Sequence, residues 1–326
     1  MSRETAFISA LRRFADHPAA RGLLDDAAVL EVEAGCLVLT HDMLVEGVHF
    51  LPSDPPGDVA WKLLAVNLSD LAAKGARPLG VLMGYSLTGD DGWDSAFAAG
   101  LATALAGFDL PLLGGDTVAM PDGAPRALGL TAIGAAGEKV PGRDGARAGD
   151  HLWVTGTIGD AGAGLRILSG TLEGDAGLIE RYRNPRPRLE AGRRLAPLVS
   201  AMMDVSDGLL IDASRLAHAS GIGLIIELDT IPLSAALLDA EGDTVEARLR
   251  AATAGDDYEL LFTAPAERAS ELLALSHQLG LPFSRIGAAE AGPGLRLTHR
   301  SDAVALPARL GWEHDASPVE RPRRAP

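Results

Sequence analysis

Short apolar runs that end on a carboxylate recur along this chain. Leu37-Val38-Leu39 feeds into Thr40-His41-Asp42 and predicts a short buried strand that stops at Asp42 and gives way to a loop. Leu110-Pro111-Leu112-Leu113 leads in the same way to Gly114-Gly115-Asp116-Thr117. Ala201-Met202-Met203 delivers Asp204, and a tight turn through Val205-Ser206-Asp207-Gly208 then opens a helix at Leu209. Open α/β sheets carry their ligands at strand ends of this kind.

The clearest helix is predicted from Asp58 to Lys74. Ala60, Leu63, Leu64, Leu68 and Leu71 form its apolar face, Asp58 can cap it and Gly75 can end it. Asn67, Asp70 and Lys74 recur on one side of it. The sequence around them, Ala65 to Ala73, is small and apolar, so these polar groups are expected against packed backbone. A carboxylate buried there needs hydrogen bonds, a cation or a raised pKa. Further helices are predicted over residues 5–14, 93–106, 163–168, 209–219, 245–252 and 266–279. Strands are predicted over 81–87, 127–134, 152–155, 223–228, 283–286 and 295–297. This alternation gives an α/β class in two domains.

Glycine and proline cluster over 136–150, which sets a boundary between an N-terminal domain, 1–137, and a C-terminal domain, 138–312. The remainder, 313–326, is rich in Pro and Arg and is expected to be a disordered tail. Gly156-Thr157-Ile158-Gly159-Asp160-Ala161-Gly162-Ala163-Gly164 is a glycine-rich strand-to-helix turn. Such a turn either cradles a phosphate or packs a helix closely, and the Gly-Lys-Ser/Thr ending of a P-loop is absent.

Composition narrows the chemistry. The 326 residues carry 29 Lys and Arg against 44 Asp and Glu, a formal charge of −15. No basic field is available for nucleic acid. No apolar run is long enough to span a membrane. A single cysteine, Cys36, makes a cytoplasmic location the expectation. The acidity also opposes any phosphorylated ligand, because two like charges 4 Å apart repel by about 4 kcal/mol at an effective dielectric of 20. Cations would have to stand between protein and ligand. Asp26, Asp42, Asp70, Asp116, Asp204 and Asp207 all lie at strand ends, strand-to-helix turns or the helix polar stripe. No Cys or paired His accompanies them, which disfavours zinc. Carboxylates with few other ligands suit Mg²⁺, which keeps waters and shares substrate phosphates. Turn and capping chemistry is the plain alternative for each acid taken singly.

Six stretches together carry a resemblance: Thr40 to Phe50, Ala65 to Ala73, Gly114-Gly115-Asp116-Thr117, Val154 to Asp160, Asp204-Val205-Ser206-Asp207-Gly208-Leu209 and Asp257-Tyr258-Glu259-Leu260. In this order they resemble the thiamine-monophosphate kinase family, over roughly residues 5–312. The resemblance implies the fold of aminoimidazole ribonucleotide synthetase, with two α/β domains and N-terminal domains paired in a homodimer. It implies transfer of the ATP γ-phosphoryl group to thiamine phosphate, with ATP as co-substrate and several Mg²⁺ ions. By resemblance, Asp26, Thr40, His41, Asp42, Asp70, Asp116, Asp204 and Asp207 stand at Mg²⁺-ligand positions. Gly115, Asp116, Arg143 and Ser206 stand at ATP positions, and His49, Asp256 and Trp312 at thiamine phosphate positions. Departures from the usual pattern are Leu24 for Gly before the paired Asp25-Asp26, His41 for a small hydroxyl residue, Lys74 for Met and Asp256 for Glu.

The acceptor of such a reaction is a phosphate oxygen. A phosphate monoester is mostly dianionic at pH 7, so direct in-line transfer needs no general base. Asp42, Asp70, Asp116 and Arg143 would act electrostatically. Trp312 is read either as a C-terminal core aromatic or as a ring stacked on the cationic thiamine. Competing readings are aminoimidazole ribonucleotide synthetase itself, a thiamine phosphate sensor without turnover, and a two-metal phosphatase. Selenophosphate synthetase lacks its reactive N-terminal Cys here, and the hydrogenase-maturation relative its Cys tail.

Overall fold

Two mixed sheets, one on each side of residues 136–150, organise the chain. The structure, a computed structural model, describes residues 24–25, 28–32 and 35–314. The helix expected over 5–14, the Asp26 site and the tail beyond 314 lie outside the described residues. The first sheet contains β1 (Ala28–Val32), β2 (Gly35–Val45), β3 (Arg77–Leu87), β4 (Leu112–Ala119) and β5 (Ala127–Ala135) in the order β1-β2-β5-β3-β4. Only β3 and β4 run parallel, and the crossover between them is the helix α2 (Asp91–Gly107). The Asp90 carboxylate caps α2 by accepting from the Trp93 amide.

Helix α1 (Pro56–Ala73) is buried on nearly every side. It starts two residues before the expected Asp58 because Pro56 suits a first helical turn. Asp58 makes no capping bond but places its charge at the positive end of the helix. Gly75, at φ +62°, ends the helix as expected. Leu63, Leu64, Leu68 and Leu71 pack on the first sheet, while Ala72 and Ala73 join a cluster with Leu195, Met202 and Phe262 of the second half. The approach on that side is close: a Cβ on Gly192 would lie 1.9 Å from the Ala72 carbonyl oxygen. A helix enclosed on both faces is apolar all round, which explains why its polar stripe sits in so much alanine and leucine.

The second sheet contains β6 (His151–Thr155), β7 (Ala201–Asp204), β8 (Gly223–Glu227), β9 (Leu260–Ala264), β10 (Phe283–Glu290), β11 (Gly294–His299) and β12 (Asp302–Val304). Their order is β12-β11-β8-β10-β6-β9-β7, antiparallel except for β8 with β11. Its helices are α3 (Asp160–Leu168), α4 (Ala176–Arg183), α5 (Leu189–Leu195), α6 (Leu209–Ser220), α7 (Ala235–Glu241), α8 (Val245–Ala252) and α9 (Ala269–Leu279). Helices α4, α5 and α7 were not predicted; each is only seven or eight residues long, too short to show a period.

The glycine-rich turn before α3 resolves towards packing. A Cβ on Gly159 would stand 2.5 Å from that of Ala251, one on Gly162 2.3 Å from that of Ala254, and one on Gly164 2.1 Å from the Leu178 carbonyl oxygen. These glycines let α3 lie against α4, α8 and the residues after α8. No helix among the described residues is long and apolar enough to cross a membrane.

Candidate active site

A cavity of about 730 Å³ opens between the two halves. From the first half it is lined by Asp42, His49, Val66 and Asp70; from the second by Arg143, Asp204, Ser206, Asp207, Asp256 and Trp312. Ten of the expected site residues therefore meet at one place: the nine just named apart from Val66, and Thr40 behind Asp70.

Strand β2 reaches the cavity differently from the expectation. It does not stop at Asp42 but runs on to Val45, with Asp42 paired to Leu130 of β5. The alternation Val38, Thr40, Asp42, Leu44 explains this, since these side chains all face α1. There the Thr40 hydroxyl donates to Asp70 Oδ2, and Asn67 Oδ1 accepts from the Asp42 amide at 2.9 Å. The polar stripe of α1 is thus a buried seam against β2, as expected. Lys74, fully buried, forms an ion pair with Asp25.

The same alternation corrects the placement of two side chains. His41 points to the other face of the sheet, where its Nδ1 lies 2.8 Å from Thr131 Oγ1. Asp116 pairs with Gly84, Gly84 with Gly129 and Gly129 with Met43, so Asp116 shares the outward face with Met43. Neither His41 nor Asp116 lines the cavity. Gly115 serves a close approach between strands, because a Cβ there would stand 1.9 Å from the Met83 carbonyl oxygen.

In the second half the turn after β7 supplies the remaining groups. Asp204 Oδ2 accepts from the Ser69 hydroxyl at 2.6 Å across the interface. Neither Ser206 nor Asp207 caps α6; Gly208 holds the cap position. Instead the fully buried Asp212 accepts from the Ser206 and Asp207 amides, both at 3.1 Å. Both side chains reach the cavity wall, that of Asp207 while paired with Arg215. Arg215 bridges Asp207 and Asp212. Residues 255–258 fold over this turn, with the Asp256 amide donating to the Ser206 carbonyl and the Tyr258 amide to the Val205 carbonyl. Asp256 and Tyr258 hold φ values of +62° and +50°, the kind of local strain that surrounding structure must enforce. Trp312 is 50 % exposed and tethered by its amide to the Asp207 carbonyl at 2.8 Å. It is not the core aromatic that was its alternative reading.

The electrostatics are those of crowded acids. Burial pushes the Asp42 carboxyl up to about 6, with Asp207 adding to the shift. Burial also lifts Asp204 to about 6, reinforced by Asp212 and opposed by the Ser69 hydrogen bond. Asp70 is raised well above the usual carboxylate range by burial and then by Asp42 and Asp204. Burial works against the Arg143 charge, while Asp212, Asp25 and Asp204 attract it. Among the described residues no three metal-ligating side chains converge on one point. The donors are hard oxygens on the wall of a cavity, and a cation there would relieve their mutual repulsion.

Sequence reading missed several groups that shape this cavity: Lys62, Arg215, Asp212, Tyr258 and His314. His314 stacks obliquely on His49, ring centres 5.2 Å apart, and Trp312 meets it edge-on at 6.3 Å. Acidity in the first turn of α6 was the available signal for Asp212.

With this geometry established, comparison with known proteins is informative. Residues 24–136 match the AIR synthase related protein N-terminal domain and residues 147–300 its C-terminal domain. The thiamine-monophosphate kinase of Caulobacter vibrioides is 41% identical over 306 residues, covering 91% of this chain and 86% of that protein. The solved complex named AaThiL with AMPPCP and TMP superposes with a TM-score of 0.82 at 32% identity, over 95% of this chain and 96% of that one. The thiamine-monophosphate kinase structure from Stenotrophomonas maltophilia gives 0.76 at 38%, over 92% and 96%. By fold, by the residues gathered in the cavity and by identity along most of its length, the chain belongs to the AIR synthase related proteins and, within them, to the thiamine-monophosphate kinase family.

Proposed function

We propose that this kinase transfers the γ-phosphoryl group of ATP to thiamine phosphate, giving thiamine diphosphate and ADP, in a Mg²⁺-dependent reaction without a general base. The observation that carries this reading is the meeting of Asp42, Asp70, Asp204 and Asp207 with Arg143, Ser206, His49, Asp256 and Trp312 around one cavity. The solved relative bound to AMPPCP and TMP supports the choice of substrates.

Asp42, Asp70, Asp204 and Asp207, with Thr40 hydrogen-bonded behind Asp70, are the residues that would hold Mg²⁺. Bound there, Mg²⁺ supplies charge neutralisation between the two sets of phosphates. Arg143 adds a fixed cation on the cavity wall, and Ser206 offers a hydroxyl beside it. His49 accepts the Val45 amide at Nδ1, 3.0 Å, which leaves its proton on Nε2. Burial and the neighbouring His314 hold it below its ordinary pKa, which favours the neutral ring, and with Nδ1 engaged the nitrogen it offers is a donor. The Trp312 ring offers a face to the cationic thiamine. The acceptor phosphate is its own nucleophile, so the work of the site is alignment and charge compensation. His41 and Asp116, whose side chains face the other side of the sheet, are not among the lining residues on which this reading rests.

Product analysis by chromatography tests the reading. Purified protein with ATP, Mg²⁺ and thiamine phosphate should yield thiamine diphosphate matched by ADP, and none with EDTA. A folded, Mg²⁺-loaded protein that makes none would refute it; free phosphate would point to a phosphatase, and binding without ADP to a sensor.

Acidity should govern metal binding in a defined direction. The Asp42 and Asp204 carboxyls stand near 6 in the metal-free fold, against an ordinary 3.8. Between those values the folded state holds protons that the unfolded state does not, so these groups cost stability as pH rises through about 6. A cation removes that cost only where the acids are ionised. The Mg²⁺-induced rise in Tm should therefore be large at pH 7.5 and shrink as pH falls through 6. Thermal unfolding with Mg²⁺ and with EDTA across pH 5–8 measures it; an equal gain at both ends would contradict the cluster as the metal site.

We place the domain division at residues 137/138, as the two sheets lying on either side support, and the protein in the cytoplasm. We also propose a homodimer built through the first sheet. Its outward face exposes Met43, Leu82 and Val118 by 51%, 40% and 51%, an apolar surface that a second copy would cover by two-fold pairing. Light scattering should give twice the chain mass for the native protein and a monomer for Leu82→Asp/Val118→Asp; a native monomer at micromolar concentration would exclude the dimer.

A further inference from the structure

Lys62 lies in the middle of α1, 2% exposed, and is among the largest fully buried side chains. Its ammonium has three N–H donors and three acceptors are in place. One is Asp256 Oδ2 at 2.9 Å, another the His49 carbonyl oxygen at 3.1 Å. The third is the face of the Tyr182 ring, whose centre is 3.9 Å from Nζ. These three partners come from separate elements: the loop after β2, the turn before β9, and α4. Lys62 therefore ties the first half of the chain to the second at one point.

That point is one end of the cavity. His49 and Asp256 both line it, whereas Lys62 does not. The second oxygen of Asp256 is fixed as well, accepting from the Tyr258 hydroxyl at 3.0 Å. With both oxygens held and its backbone in the left-handed region, the carboxylate has one orientation. The loop carrying His49 is anchored beside it: Asp54 accepts from the Leu51 amide at 2.8 Å and from Arg183 Nε of α4 at 2.8 Å. A lysine needed only for folding would satisfy its charge anywhere. Among the described residues this one has a single carboxylate partner, Asp256, and a single carbonyl partner, His49, both in the cavity wall.

We propose that Lys62 is the positioning residue of the acceptor end, acting through Asp256 and His49 to set the affinity for thiamine phosphate without touching it. The inference rests on the reading above that Asp256 and His49 face the acceptor. An ammonium fixed behind a carboxylate holds it rigidly toward a cationic ring. Removing the ammonium leaves Asp256 free to turn and the His49 loop without its anchor. The partners of Lys62 named above do not include Arg143 or Ser206, on which the ATP side of the cavity is built.

Steady-state kinetics on the full chain with ATP and thiamine phosphate, varied separately, tests this. Lys62→Met should raise KM for thiamine phosphate by ~10-fold or more, the scale at which supporting partners act. KM for ATP should stay within about two-fold, and kcat at saturating acceptor should be nearly kept. Lys62→Arg, which retains a cation, should recover part of the loss. The double variant Lys62→Met/Asp256→Asn should raise KM for thiamine phosphate by clearly less than the product of the two single effects, because the Lys62–Asp256 contact is shared and only the His49 contact is lost in addition. It also carries no uncompensated buried charge, so it remains informative if Lys62→Met alone fails to fold.

The outcomes separate. If the wild-type protein makes no thiamine diphosphate, or Asp256→Asn leaves acceptor KM unchanged, the reading of the site falls and the inference with it. If Asp256→Asn raises acceptor KM but Lys62→Met does not, or shifts both KM values equally, or if the two substitutions add fully, the inference alone is overturned.

Discussion

Asp70→Asn should lower thiamine diphosphate formation by at least ~100-fold while leaving the protein folded. Outer partners of metal ligands commonly cost 10–100-fold when removed, and Asp70 stands closer to the chemistry than that. It lines the cavity between the other acids, and Asp42 and Asp204 both bear on its charge. Asparagine keeps the shape and still accepts from the Thr40 hydroxyl, so packing is retained. It cannot carry the charge that a cation would compensate.

Stability should move the opposite way. Burial and two neighbouring acids raise the Asp70 carboxyl far above its ordinary range, so in the metal-free fold its ionised form is a cost. A neutral amide removes that cost. Without Mg²⁺ the variant should melt at the same temperature as the wild type or higher, and the Mg²⁺-induced rise should fall or vanish. Activity lost together with a raised metal-free Tm is a pattern that general misfolding does not produce. Full activity at low Mg²⁺ would show that Asp70 is no part of the metal clamp.

Much of this site is legible in sequence because acids at strand ends and turns stand out against apolar neighbours. Asp42, Asp70, Asp204 and Asp207 can be picked on that ground alone. What sequence does not convey is which way a strand residue points. Asp116 and Asp42 look alike in sequence, each following an apolar run, yet the register across β2, β5, β3 and β4 sends them to opposite faces. A strand that runs three residues past its last expected position decides this, and a β-period pattern interrupted by Thr40 and Asp42 hides the continuation. Cations are harder still. Lys62 sits in Ala60-Trp61-Lys62-Leu63 and reads as a solvated residue on a helix. It is buried because α1 is enclosed on both faces, a fact of tertiary packing that periodicity within one helix does not contain. Arg181 and Arg188 belong to short helices or their flanks and carry no local signal of what they reach.

Those two arginines converge on Glu259, and Glu259→Leu should be the most destabilising single substitution in the second half. Glu259 is fully buried. Its Oε1 accepts from Arg181 at 2.9 Å and from Arg188, and its Oε2 from Arg188 Nε and the Thr155 hydroxyl, each at 2.7 Å. Glycine is required at position 156 because a Cβ there would stand 2.2 Å from this carboxylate. The cluster thus joins β6, α4, the segment before α5 and the turn that carries Asp256. Leucine fills the volume but leaves two guanidinium groups and a buried hydroxyl without their acceptor. Breaking a buried ion pair from one side costs about 3–5 kcal/mol. The lower end is expected, since Arg181 and Arg188 remain 23% and 17% exposed and regain some water. At about 2–4 °C per kcal/mol for a domain of this size, Tm should fall by roughly 6–12 °C. Glu259→Gln, which keeps acceptor capacity on one side, should fall by less. Denaturant unfolding monitored by tryptophan fluorescence, together with calorimetry, measures both. A loss under about 1 kcal/mol for leucine would mean that the arginines find water without cost. The triad would then fix the position of the Asp256 turn without adding to stability.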